Sequence, residues 1–142
     1  MTDTHRTVDV ERHPDGGYIA RNVGGGELRF GSDDPADFTP VELLMVAIAG
    51  CASVDVEVVT GRRAEPTRFL ARVDAQNLRE DDGSILRDIE VSFDVRFPEG
   101  EAGDAARAVL PRALQVSHDR SCTVSRTVEA VSPISMKLAQ LD

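Results

Sequence analysis

The sequence predicts one soluble domain that mixes strands with helices, on three observations. Two runs, TRFLARVDAQNL at 67–78 and ILRDIEVSFDVRF at 85–97, alternate apolar and polar residues around a short polar turn. That is the pattern of a β-hairpin. Between Val41 and Val59 lies VELLMVAIAGCASVDVEVV, apolar on every side when wound as a helix, which predicts a helix enclosed by its surroundings. Finally, 142 residues with 41% apolar and 29% charged content suit a single domain, 1–142, with its own core.

The elements follow in order. RTVDVER at 6–12 alternates, with Val8 and Val10 on one face. HPDGG at 13–17 is a turn, YIARNV a returning strand, GGG at 24–26 a second turn and ELRFG at 27–31 a third strand. Together they predict an N-terminal meander. Thr39 is then placed as the N-cap of the long helix, Pro40 as its first residue and Glu42 as the closing member of a capping box. Gly61 is the stop. Beyond the hairpin, AARAVLPRALQVSHD at 105–119 reads as a helix that Pro111 kinks or divides. Ser121 is positioned to cap a short helix from Cys122 to about Val128, and SPISMKLAQL at 132–141 reads as a final strand.

Charge narrows the function. Twenty-five acidic against 16 basic residues leave −9 at pH 7. No basic run interrupts that surface, which repels phosphate backbones and anionic membranes alike. No nucleic-acid or membrane partner is expected. The 41–59 run is the one spanning candidate, but Glu42, Asp55 and Glu57 interrupt it, and carboxylates are costly in lipid. MTDTHRTVDVERH has no apolar stretch of the kind a secretory signal needs. A cytoplasmic location is therefore expected, where thiols stay reduced unless they cycle.

Two cysteines remain to be explained. Cys51 lies inside the most apolar segment, where a thiol packs well as a small hydrophobe or is shielded for chemistry. Cys122 lies in DRSCTVSR, at the start of a short helix with Arg120 and Arg126 nearby, a setting that favours thiolate. One enclosed thiol and one polarised thiol suit oxidation of the first and its resolution by the second. No CxxC is present, and His5, His13 and His118 have no ligand spacing, so neither a metal nor another cofactor is expected.

The string PVELLMVAIAGCASVDV, preceded by the meander and followed by the hairpin, a helix and SCTVSRTVE, resembles the OsmC/Ohr family, the osmotically inducible proteins C and organic hydroperoxide reductases. The match covers roughly residues 6–139; its specific elements are P-x-E-L-L…A-G-C at 40–51 and Cys122 followed by x-V-S. The resemblance implies an α+β OsmC-like fold: meander, long central buried helix, hairpin, second helix pair and final strand, in an intertwined homodimer. It implies a peroxidatic Cys51, oxidised by an organic hydroperoxide to sulfenic acid, and a resolving Cys122. A dithiol such as dihydrolipoamide then resets the disulfide.

The reductases also hold their thiolate with an arginine from the N-terminal strands, itself held by a glutamate early in the central helix. Arg12 is the first candidate for that cation, with Arg21 and Arg29 as alternatives. Here the carboxylate falls at Glu42, one residue later than the family places it. At about 100° per residue it lies nearly opposite Cys51, so capping and arginine-holding both stand as its roles. Asp55, four residues after Cys51, shares the cysteine's face and is open to orienting an arginine, forming a salt bridge or facing solvent. The rival to a peroxidase is an OsmC-like protein that binds a small apolar ligand or carries sulfur on Cys51.

Overall fold

The computed structural model describes residues 4–130 and 133–140. Its contacts gather into two compact units, Met1–Val46 and Ala47–Asp142.

The first unit holds a three-stranded antiparallel meander: β1 (Val8–Arg12), β2 (Tyr18–Asn22) and β3 (Glu27–Phe30). The HPDGG turn closes on itself, with the His13 N–H donating to the Gly17 carbonyl at 2.9 Å. Gly16 and Gly17 both take positive φ there, which glycine adopts without steric cost. The register pairs Arg12 with Tyr18 and Tyr18 with Phe30, and Val10 with Ala20 and Ala20 with Leu28. Because strand side chains alternate, Val8, Val10, Arg12, Tyr18, Ala20, Leu28 and Phe30 share one face. Arg21 and Arg29 belong to the other. Tyr18 and Phe30 stack with centroids 5.7 Å apart.

α1 runs from Pro40 to Thr60, and its start is the predicted capping box. The Thr39 N–H donates to Glu42 Oε1 at 2.9 Å, and the Glu42 N–H donates to Thr39 Oγ1 at 3.2 Å. Two orphaned donors are satisfied reciprocally, an arrangement that contributes about 1 kcal/mol. The helix ends as expected, with the Gly61 N–H on the Glu57 carbonyl. Only Ile48, Ala49, Val56 and Thr60 are buried along it, while Val54 and Val58 are 61% and 54% exposed. The enclosure that its all-round apolarity predicts is not completed within one chain. By length and composition alone α1 could cross a membrane, a test that core helices of soluble proteins also pass.

In the second unit β4 (Arg68–Glu80) and β5 (Gly83–Arg96) form the long hairpin, joined through Asp81 and Asp82. Phe69, Ala71, Val73 and Ala75 all turn to its less exposed face, as the alternation predicts. On β5 the less exposed positions step from Leu86 to Ile89. The register shift between Asp74 and Gln76, with Asp88 at φ 54°, absorbs the extra residue. Such a bulge keeps the apolar set on one face where a simple slip would invert it. Phe69 and Phe93 meet edge-on at 6.2 Å.

The later elements refine or depart from expectation in several places. α2 spans Glu101–Val116, four residues earlier than its apolar pattern suggests, because Glu101 and Asp104 sit in its first turn, where carboxylates complement the helix dipole. Pro111 stays inside one continuous helix and does not divide it. A π-helical turn at Ser117–Ser121 follows, then α3 at Thr123–Glu129, whose N-cap is Cys122 and not Ser121. Residues 133–140 form no strand; Ser132 and Leu141, the ends of the predicted one, lie outside the described residues. Ile134, Met136 and Leu138 are almost wholly exposed. A strand needs a paired edge, and alternation alone does not provide one.

Gly103 lies on α2 where an added Cβ would run into the Pro98 carbonyl oxygen. Backbone is the obstacle, so the strain is not relieved by a side-chain rotation. Gly103→Ala is expected to destabilise the fold by about 1–3 kcal/mol, despite alanine's better helix propensity, read as a lower midpoint in urea denaturation.

A two-thiol candidate active site

Cys51 comes from the middle of α1, half-buried, and Asp55 follows one turn later on the same face. Cys122 arrives from the far end of the chain on the π turn, wholly buried. That turn is closed by the Cys122 N–H on the Ser117 carbonyl at 2.8 Å, the i→i−5 pattern that often marks functional sites. Sγ of Cys51, Sγ of Cys122 and a carboxylate oxygen of Asp55 all lie within 4.8 Å of one another. Ser117, 2% exposed, donates its hydroxyl to Asp55 Oδ2 at 2.9 Å. This bond ties α1 to the turn that carries Cys122.

The two thiols differ electrostatically. At Cys51 the Val124 backbone N–H favours the thiolate, but burial, the neighbouring Cys122 and the charge of Asp55 outweigh it. Its pKa is raised. At Cys122 burial opposes ionisation, yet the Ser125 hydroxyl, the Ser125 N–H and the Cys51 thiol prevail. Its pKa is lowered, although Asp55 pushes it up as well. The Ser125 hydroxyl is 3.2 Å from the Cys122 sulfur and the Ser125 N–H donates to it at 3.4 Å. A charge-bearing sulfur is stabilised where capping donors converge on it.

A cavity of about 330 Å³ opens beside Cys122. Ile48 and Ala52 of α1, Ile89, Val91 and Phe93 of β5, Leu114 of α2 and Val128 of α3 give it an apolar wall. Ser117, His118, Ser125 and Glu129 supply its polar groups. His118 places Nδ1 2.9 Å from Asp119 and Nε2 3.0 Å from Glu129.

Of the residues singled out from sequence, Cys51, Asp55 and Cys122 are brought together. Asp55 is engaged by a serine, with no arginine paired to it among the described residues. Arg12 and Glu42 belong to the first unit. Glu42 is occupied by the capping box. Arg21 is held by Glu11 at 2.9 Å and lies 3.5 Å from Glu27, and Arg29 donates to the Gly16 carbonyl at 3.2 Å. Arg12 has no such ion pair among the described residues. Ser117, Ser125 and the His118–Glu129 pair escaped the sequence reading, because only the π turn brings them to the sulfurs and the cavity.

The fold and site together define an α+β protein with antiparallel sheets, three α-helices among the described residues and two thiols gathered beside an apolar cavity. Residues 31–137 match the OsmC-like protein family, and the chain belongs to it. An uncharacterised protein of Mycobacterium tuberculosis is 25% identical over 134 residues, 93% of this chain and 95% of its own. The OsmC-like protein of Mycoplasma pneumoniae superposes with a TM-score of 0.70 at 15% identity, covering 92% of this chain and 91% of that one. The organic hydroperoxide resistance protein OhrB of Bacillus subtilis gives 0.53 at 14%, covering 87% and 90%. These structural likenesses establish the fold.

The His118 pair yields a pH dependence. Asp119 first, then Glu129, raise the histidine above its usual 6.5. A raised folded pKa contributes stability that is complete below the unfolded pKa and lost as pH rises through the folded one. Glu129→Gln should therefore lower the His118 titration midpoint seen by NMR. It should cost thermal stability at about pH 5.5 and little at about pH 8.5.

Proposed function

We propose that this chain is a thiol-dependent peroxidase that reduces organic hydroperoxides in the cytoplasm. The observation that carries the reading is the meeting of Cys51 and Cys122, far apart in sequence, within 4.8 Å beside an apolar cavity. A disulfide needs sulfurs about 2 Å apart, a short approach from this separation. The cavity favours alkyl-bearing hydroperoxides over hydrogen peroxide.

Cys51 is assigned as the peroxidatic thiol. Its thiolate attacks the distal peroxide oxygen, the O–O bond breaks, and the alcohol leaves after taking one proton, with sulfenic acid left on Cys51. Cys122, favoured as thiolate, then attacks the Cys51 sulfur and expels the oxygen as water. A dithiol such as dihydrolipoamide supplies two electrons and two protons to restore the thiols. Nucleophilic attack by Cys51 requires a cation to offset the groups that raise its pKa. Arg12 is assigned that role: it lies on the apolar face of the meander, apart from the charged pairs that hold Arg21.

A homodimer completes this reading. Val54 and Val58 on α1, and Val8, Val10 and Leu28 on the meander, are exposed apolar residues of the kind a second copy covers. Sedimentation should give a dimer at micromolar concentration; a folded, stable monomer would remove this part of the reading.

The rival role, a small-ligand or sulfur carrier, draws on one observation: Cys122 and not Cys51 lines the cavity. Turnover of an organic hydroperoxide separates the two. Cys51→Ser should abolish it, while Cys122→Ser should add one oxygen by intact mass and then stall. Charge reversal at Arg12 should slow the first oxidation more than reversal at Arg21 or Arg29. Peroxide that leaves both thiols free would hand the site to the carrier role, and full turnover by Cys51→Ser would overturn the assignment of Cys51 as the peroxidatic thiol.

A further inference from the structure

The sequence offers no metal-ligand spacing, but the fold creates a ligand set that spacing cannot reveal. Two sulfurs and one carboxylate oxygen converge within 4.8 Å, from Cys51, Cys122 and Asp55. We propose that the reduced protein binds one thiophilic divalent cation, of the Zn2+ class, at Cys51, Asp55 and Cys122.

The site suits such a cation in three respects. The first is geometric: a tetrahedral zinc with bonds of about 2.3 Å to sulfur places its ligand atoms about 3.8 Å apart. The present separations, all within 4.8 Å, exceed that spacing by about 1 Å at most, and three protein ligands leave a fourth position for water. The second is the donor set, since two thiolates select Zn2+ over Mg2+ or Ca2+, which take oxygen ligands. The third is the surrounding hydrogen bonding. Ser117, itself buried, orients the Asp55 carboxylate at 2.9 Å. The Ser125 N–H donates to the Cys122 sulfur at 3.4 Å. Outer donors of this kind hold ligands in place and are worth about 10–100-fold in affinity.

Binding displaces the thiol protons, so affinity rises with pH. The cation occupies the sulfurs that peroxide and the disulfide would otherwise use. It therefore binds the dithiol and leaves the disulfide, which makes the site redox-gated. The inference concerns binding to the reduced chain and does not depend on the peroxidase reading.

Anaerobic titration of the reduced full-length protein with Co2+ tests it without any peroxide. One equivalent per chain should produce a sulfur-to-cobalt charge-transfer band and the intense visible bands of tetrahedral cobalt. One equivalent of Zn2+ should erase both and slow alkylation of the two cysteines. Asp55→Asn, nearly isosteric, should weaken binding by about 100-fold, and Cys51→Ala and Cys122→Ala should each abolish the charge-transfer band. Absence of the bands with both thiols assayed as reduced would overturn the proposal, as would unchanged affinity in Asp55→Asn. Failure of peroxide turnover with the bands intact would sink the peroxidase and leave the metal site standing.

Discussion

The hydrogen bond from Ser117 to Asp55 is the constraint on which the candidate site depends. It spans from the central helix to the turn after α2, and both groups are largely shielded from water. A shielded hydrogen bond to a carboxylate is worth more than a neutral surface one, and leaving either partner unpaired costs the desolvation of that group. With this bond made, the Cys122 sulfur is held near Cys51. The Val124 N–H, directed at the Cys51 sulfur, adds a second tie from the same segment.

The π turn solves a second problem. A regular α-helix through 117–121 would carry its hydrogen bonds to the residue four back, and the wider i→i−5 closure takes up one additional residue. That widening lets Ser117 face Asp55 while Cys122 becomes the cap of α3, with its sulfur receiving the Ser125 N–H. Sulfur is a weak acceptor as a thiol and a stronger one as a thiolate, so this cap and the lowered pKa of Cys122 are two aspects of one arrangement.

Asp55 acts against thiolate formation at both sulfurs. A carboxylate beside a reactive cysteine pair is a cost for a simple peroxidase and an asset wherever a cation joins the site.

Much of the fold was legible because it rests on local rules. Thr39, Pro40 and Glu42 form the capping box their spacing implies, and the hairpin keeps Phe69, Ala71 and Val73 on one face because a strand has period two. The OsmC-like pattern around Cys51 and Cys122 was equally plain. The start of α2 was less so, since Glu101 and Asp104 look like loop residues until the helix dipole is considered. For 133–140 the alternation of Ile134, Met136 and Leu138 described a strand that finds no paired edge among the described residues, and pairing is a non-local property. The sequence by itself thus determined the element types, the helix limits at Thr39 and Gly61 and the identity of the two thiols. Only the tertiary structure decided that Asp55 faces a serine and both sulfurs, that Cys122 caps α3, and that the two thiols ionise differently. Those outcomes depend on distances between segments remote in the chain, and periodicity and spacing do not encode such distances.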